Sequence, residues 1–191
     1  MKFLQFLSLV FVLVFSIAPK AMPQSSVETK LQSASIAYST GKYVESIKLI
    51  EEALQEVSAK APLVIENFHP IRREAPYFGS FEPRANNIYE SSEVLYFYLE
   101  PKNIVFLKKG ETYTGGFFLD LSFKDDKGEV LLEQKKFLDA EFSSRNPIHD
   151  LFANINLNLT GVTPGVYKAE FTVRDLNSDK SASVEKEVII R

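Results

Sequence analysis

His69 and His149 are the only imidazoles in the chain, and 80 residues separate them. Metal or metalloprotease chemistry needs ligands at short spacing, as in H-E-x-x-H, so that two share one helix face. Neither histidine has such a neighbour. Carboxylates gather at Asp125-Asp126-Lys127-Gly128-Glu129 and at Asp175-Leu176-Asn177-Ser178-Asp179. Calcium could use such tips, but neither follows the D-x-D-x-D-G loop, and turn propensity accounts for both. A serine nucleophile needs a strained G-x-S-x-G turn ahead of a helix. Phe78-Gly79-Ser80-Phe81 lacks the second glycine and the helix. Nothing singles out two of the 25 acidic residues as a glycosidase pair. No glycine-rich phosphate loop is present.

Binding is easier to accommodate than catalysis. Tyr96, Tyr98, Tyr113 and Phe118 could surface together on one sheet, where aromatic rings stack on sugars or anchor a protein contact, although core packing accounts for them more simply. Arg84 and Glu100, each beside a proline, could close one end of a β-domain as an ion pair worth ~0–1 kcal/mol. Asn158-Leu159-Thr160 is a glycosylation sequon, meaningful only in a eukaryotic host. No catalytic, cofactor-binding or metal-binding residue is assigned, and no cofactor is expected.

The N-terminus constrains the compartment. Lys2 precedes an almost unbroken apolar run from Phe3 to Ala18, and Ala18-Pro19-Lys20-Ala21 supplies small residues for cleavage. That order is expected of a secretory signal peptide over residues 1–21. Sixteen helical residues would span roughly 24 Å, short of the ~30 Å hydrocarbon core that a permanent anchor must cross. Processing is expected between Ala18 and Gln24, with an uncleaved anchor as the rival. Cleavage removes Lys2 and Lys20 and takes the net charge from −3 to −5, leaving 20 basic against 25 acidic residues. Such a chain suits neither nucleic acid nor anionic lipid. The chain has no cysteine, which excludes disulfides, thiolate metal sites, a thiol nucleophile and a bacterial lipoprotein anchor. Export to a bacterial periplasm or outer surface is the expectation.

Two elements must position whatever binds. Residues 22–60 have helical period. Leu31, Ala34 and Tyr38 share a face. After Gly41-Lys42 come Tyr43, Ile47, Ile50, Ala53, Leu54 and Val57. Ser25 or Ser26 can cap the first helix, Gly41 can end it, and Pro62 cannot extend the second. Ala37, Gly41-x-Tyr43, Ser46 and Ala53-Leu54 make this segment resemble one tetratricopeptide-type helical hairpin. Repeats of that family bury their faces by stacking. A single copy is therefore expected to pack on the chain's own β-domain, on a second copy as a homodimer, or on a partner.

Residues 61–76 read as a proline-rich connector, within a longer break that reaches residue 87. Leu63–Phe68 and Tyr77–Glu82 are apolar enough for short strands bordering it, the second more clearly than the first. From Tyr89 the period becomes two. Phe117, Leu119, Leu121 and Phe123 alternate with polar residues, and Asp125–Gly128 supplies a hairpin turn. Ile155, Leu157 and Leu159 alternate with Asn154, Asn156 and Asn158, a face expected to be solvated. Tyr167, Ala169, Phe171 and Val173 alternate with charges, and Asn177–Lys180 leads into Val184, Lys186, Val188 and Ile190. These give about seven strands over residues 77–191. Leu159-Thr-Gly-Val-Thr-Pro-Gly-Val-Tyr167 with Phe171-x-Val173-x-Asp175 is similar to the crossover and penultimate strand of immunoglobulin- and fibronectin-like domains. In that family a tyrosine at the Tyr167 position bonds back to the corner backbone. The resemblance implies a mainly β chain, an antiparallel immunoglobulin-like β-sandwich preceded by an α-helical hairpin, without the family's cysteine pair or core tryptophan.

The function expected is a non-enzymatic, exported protein-interaction or structural module of the cell envelope, bound to another envelope or extracellular protein. The alternative is a carbohydrate-binding module using an aromatic sheet face. On either reading the processed chain shows no turnover of generic ester, peptide or glycoside substrates. Robust turnover that a single serine or carboxylate substitution abolishes would overturn this expectation.

Overall fold

A computed structural model of the chain describes residues 25–158 and 160–191. Residues 1–21, read from the sequence as a signal peptide, lie outside the described residues. No helix among the described residues is long and apolar enough to cross a membrane. The chain is mainly β, 49% strand, with two helices at the N-terminal end.

The helices are α1 (Ser26–Ser39) and α2 (Tyr43–Lys60). Ser25 starts α1 with a reciprocal cap. Its hydroxyl accepts from the Glu28 amide, and its own amide donates to the Glu28 carboxylate at 2.9 Å. Gly41, at φ 77°, makes the left-handed turn between them. Where the helices touch, the buried residues are Ala34, Ala37, Ser46 and Ala53, and Ser46 Oγ donates to the Ala34 carbonyl at 2.9 Å. Small side chains let the axes approach closely, so the helices meet along a narrow inner line.

Nine strands follow: β1 (Val64–Ile71), β2 (Ile88–Tyr89), β3 (Val94–Lys102), β4 (Leu107–Lys109), β5 (Thr112–Asp125), β6 (Val130–Ser144), β7 (Ala153–Asn158), β8 (Gly165–Asp175) and β9 (Ser181–Ile190). They form an antiparallel three-stranded sheet, β1-β3-β7, and a six-stranded sheet ordered β2-β9-β8-β5-β4, with β6 on the other side of β5. The second sheet is mixed, because β2 runs parallel to β9, and it curls into a half-barrel. Alternation delivers one core between the sheets. Leu95, Phe97 and Leu99 of β3 and Ile155 and Leu157 of β7 face Phe117, Leu119, Leu121 and Phe123 of β5 and Ala169, Phe171 and Val173 of β8. The opposite face of the larger sheet carries charge pairs across strands, Lys124–Glu170 at 2.5 Å and Arg174–Asp120 at 2.7 Å among them.

Two expectations are corrected. Residues 64–71, inside the expected connector, are a full strand paired with β3, whereas Tyr77–Glu82 is a turn with a single Tyr77–Ser80 bridge. The short strand expected at Leu63–Phe68 is present and runs on to Ile71, across a bulge where Asn67, at φ 49°, breaks the alternation. Pro70 is tolerated because β1 is a sheet edge. Gly79 at φ 70° and the Ser80 amide bonded to the Tyr77 carbonyl fold the second segment back on itself.

The hairpin hangs on the β-domain by polar ties at the C-terminal end of α2. Lys180 Nζ donates to the Ser58 carbonyl at 2.9 Å and the Asn103 carbonyl at 3.1 Å, and Asn103 Nδ2 donates to the Pro62 carbonyl. An ammonium beside free carbonyls at a helix C-terminus satisfies both the hydrogen bonds and the helix dipole. Leu63 then plugs into the core.

Gly116 marks the tightest point of the fold. A Cβ there would sit 2.0 Å from the Ala140 carbonyl oxygen of β6. Gly116→Ala is expected to cost about 2–3 kcal/mol through forced separation of β5 and β6. Chemical denaturation measures this, and an unchanged midpoint would mean that the strands separate without cost.

Candidate functional site

Of the sixteen large apolar side chains exposed among the described residues, nine belong to the hairpin. Tyr43, Ile47, Ile50, Leu54 and Val57 recur at spacings of four and three along α2, and all five are exposed, Ile47 at 56%. Leu31 and Tyr38 of α1 are exposed as well, and the Tyr38 ring meets Tyr43 edge-on at 5.5 Å, joining the helices at the hairpin tip. The sequence pattern identified this stripe. It is not, as one expectation had it, packed on the β-domain, because the four small residues already satisfy the inner face and the ties at Lys180 hold only the helix end. These seven residues leave on the order of 800 Å² open, about what one partner contributes to a standard interface and more than a monomer usually exposes in one patch.

Adjoining the stripe, and sharing Leu54 with it, a groove of about 630 Å³ runs between α2 and the start of β5, lined also by Glu51, Lys108, Tyr113, Arg145 and His149. Lys30 is hydrogen-bonded to Glu56 beside the adjoining hollow. That bond holds the Glu56 carboxyl below its usual range. Cations and carboxylates alternate around the groove, and no single ligand charge is favoured.

The outer face of the three-stranded sheet is covered. Residues 72–87 fold over it, and four rings stack in series, His69 on Phe81 (5.2 Å), Phe81 on Tyr98 (4.4 Å) and Tyr98 on Phe152 (5.6 Å). Tyr98 is 0% exposed. Its hydroxyl accepts from the Gly79 amide at 2.7 Å and donates to Glu100 Oε1 at 2.7 Å, and burial pushes its pKa up to about 12. Glu100 Oε2 accepts from Asn67 Nδ2 at 2.9 Å, and Lys102 Nζ lies 3.4 Å from it. Asn154 uses its side-chain amide like a strand backbone, bonding both the amide and the carbonyl of Ala75 at 2.9 Å, and Asn156 reaches Glu74.

Several sequence-derived candidates therefore change role. Arg84 does not pair with Glu100. It is bonded to Glu93, donates to the Ile88 carbonyl at 2.7 Å and lies over the Tyr89 ring at 4.2 Å. The asparagine face is solvated at Asn156 and Asn158, as expected, but Asn154 is half-buried, and Asn154 and Asn156 fasten the covering segment. The four aromatic residues share no face: Tyr98 is buried and Tyr96 half-buried under the cover, Phe118 lies beneath Lys136 on the outer side of the larger sheet, and Tyr113 borders the groove. Asp125 Oδ1 accepts from the Lys127 and Glu129 amides. Asp175 accepts from Asn177 and Val105. Both carboxylates are thus engaged by backbone. His69 is in the stack and His149 in the groove, in separate places. Asn67, Lys102 and Lys180 were not foreseen. Asn67 sits in a bulge 33 residues from Glu100, Lys180 bonds carbonyls 77 and 122 residues away, and Lys102 joins Glu100 along one strand, none of which periodicity encodes.

No family model matches the chain, and no curated protein matches it. Solved structures that are similar to parts of it include the sporulation control protein Spo0M from Bacillus subtilis, at 9% identity and TM-score 0.38 over 69% of this chain and 50% of that one. A family 123 glycoside hydrolase from Clostridium perfringens gives 10% and 0.37 over 69% and 27%. The alkylpurine DNA glycosylase AlkC from Pseudomonas fluorescens gives 9% and 0.35 over 77% and 37%. The chain spans half or less of each, and likenesses this shallow carry no chemistry across.

Glu100 yields a test in acid. Desolvation pushes its carboxyl up, but hydrogen bonds from Tyr98 and Asn67 and the Lys102 charge outweigh it and hold the pKa below the ordinary value. The stabilisation is then complete above the unfolded value, ~4.3, and is lost as pH falls through the lower folded value. The free energy of unfolding is expected to drop on acidification through that window, with a shallower slope in Glu100→Gln. Equal slopes in parent and variant would remove Glu100 from the acid response.

Proposed function

We propose that this chain is a non-enzymatic, exported module of the cell envelope that works by protein–protein contact, with the helical hairpin as the contact element. The observation that carries the reading is the exposed stripe Tyr43, Ile47, Ile50, Leu54 and Val57 on α2. Its alternating four–three spacing is that of a coiled-coil seam, which accommodates the apolar edge of another helix. The occupant is an amphipathic helix of a protein chain. Export rests on the N-terminal charge–apolar–small pattern, and the processed chain's negative charge argues against a nucleic-acid partner.

The carrier is read as an immunoglobulin-like β-sandwich. Two features support that finer assignment. The strand order β1-β3-β7 opposite β2-β9-β8-β5-β6, with β2 parallel to the last strand, matches the family's arrangement. The Tyr167 hydroxyl donates to the Thr163 carbonyl at 2.6 Å, the bond of a tyrosine corner. A non-catalytic role is supported by the positions of the chemistry-bearing residues. Asp125, Asp175, Glu100 and His69 are all engaged in turns, backbone bonds or the aromatic stack.

A photo-cross-linking residue placed at Ile47 or Ile50, with a control at Glu185 on the outer sheet face, tests the assignment in the native envelope fraction. Adducts are expected from the hairpin positions alone, with the attachment points mapping by mass spectrometry to one side of an amphipathic helix. No adducts, or equal yields from Glu185, would overturn it.

A further inference from the structure

We infer that the helix seated on this stripe is α2 of a second copy of the chain, in an antiparallel, two-fold pairing. The inference rests on the contact role proposed for the hairpin and names its partner. The seam runs Tyr43, Ile47, Ile50, Leu54, Val57 at spacings of four, three, four and three. An antiparallel copy with Ile50 on the axis sets Tyr43 against Val57 and brings Ile47 to within one residue of the level of Leu54, so apolar side chains meet along the whole seam. A self-complementary patch of this kind is what a two-fold interface requires. The area agrees too. The open surface of the seam with Leu31 and Tyr38, on the order of 800 Å² per chain, is the share one subunit gives to a stable interface, so a second copy covers the stripe without help from the β-domain.

The flanks of the seam are unequal. On one side lie Ser46 and Ala53, already buried against α1. On the other the single charge is Glu51, one residue from the axis, so pairing brings the two copies' Glu51 carboxylates near each other. Like charges at that distance on helices are unfavourable by a few tenths of a kcal/mol. This separates the two possible occupants. Neutralising Glu51 tightens self-association, whereas a foreign helix with a basic residue at that place would be bound less tightly.

The processed full-length chain tests this by sedimentation equilibrium over a concentration series. A monomer–dimer equilibrium is expected, with Glu51→Gln lowering the dissociation constant about twofold and Ile50→Glu leaving a monomer with unchanged circular dichroism. Because the chain has no cysteine, Ile50→Cys adds a single thiol at the axis and is expected to form a disulfide-linked dimer under mild oxidation. Val166→Cys, exposed on β8, is expected not to. This arm keeps the test open if Ile50→Glu does not fold. A monomer at every concentration with no Ile50→Cys dimer overturns the pairing. If cross-links from Ile47 then still reach a helix of another protein, the contact role stands and only the partner is wrong. If those also vanish, both fall.

Discussion

Three phenylalanine rings fasten the two sheets to each other. Phe68 of β1, Phe97 of β3 and Phe171 of β8 meet with centroids 5.2 to 5.8 Å apart, two from the small sheet and one from the large. Each ring depends on an extended strand that points it inwards, and each strand is held in register by the neighbours it pairs with. Rings of this size account for much of what a core without tryptophan or disulfides can bury. Everything else hangs on this joint. The covering segment 72–87 rests on the back of β3, and the hairpin on the end of the core where Leu63 enters.

That arrangement divides the apolar residues into two groups with different fates. In the β-domain, period-two alternation gives the inward-facing apolar residues facing partners and buries them, while a few at edges and turns, such as Val64, Leu107 and Val130–Leu132, stay exposed. In the hairpin, the helices approach through alanine and serine, and their own contact absorbs almost none of the larger side chains. A two-helix unit has two lateral faces and only one partner helix. The β-domain, reached through Lys180 and the end of α2, touches polar groups rather than the stripe. The exposed stripe is therefore a consequence of topology and not of poor packing inside the hairpin.

The sequence made much of this legible, and the limits are physical. Both helices, the Gly41 break, the β5–β6 hairpin and the Tyr167 bond follow from local signals, because caps, periodicity and turn residues act over a few positions. The first strand was legible only as a short one over Leu63–Phe68, because a bulge at Asn67 and a proline at position 70 disguise its extent, and pairing with β3 carries it to Ile71. Core packing was the simpler reading of Tyr96 and Tyr98, but what covers them was not legible. Their cover is the return of residues 72–87, fixed by Asn154 and Asn156 some 80 positions later. The stripe on α2 was readable as a stripe. That it stays open was not, since this depends on where the hairpin is tied.

Among the described residues the longest free strand edge is that of β6, and its construction blunts it as a route to association. β6 is fifteen residues long, pairs only with β5 among the described residues, and exposes Val130, Leu131 and Leu132. Such an edge is a template for another strand. Its pairing, however, is broken between Gln134 and Leu138, where Lys136 adopts φ 51°. The interruption is locked from beneath, since the buried Asp120 carboxylate accepts from the Lys136 amide at 3.0 Å while also bonding Arg174. Those contacts outweigh desolvation and hold the Asp120 carboxyl below its ordinary pKa, so it stays ionised at neutral pH. An incoming strand can match β6 on one side of the bulge or the other but not across it, and Lys135 places a charge at the break. No comparable interruption crosses the stripe on α2, which contains neither proline, glycine nor charge from Tyr43 to Val57 at any seam position. One exposed apolar element is blunted and the other is continuous, and the contact role proposed for the hairpin rests on the continuous one.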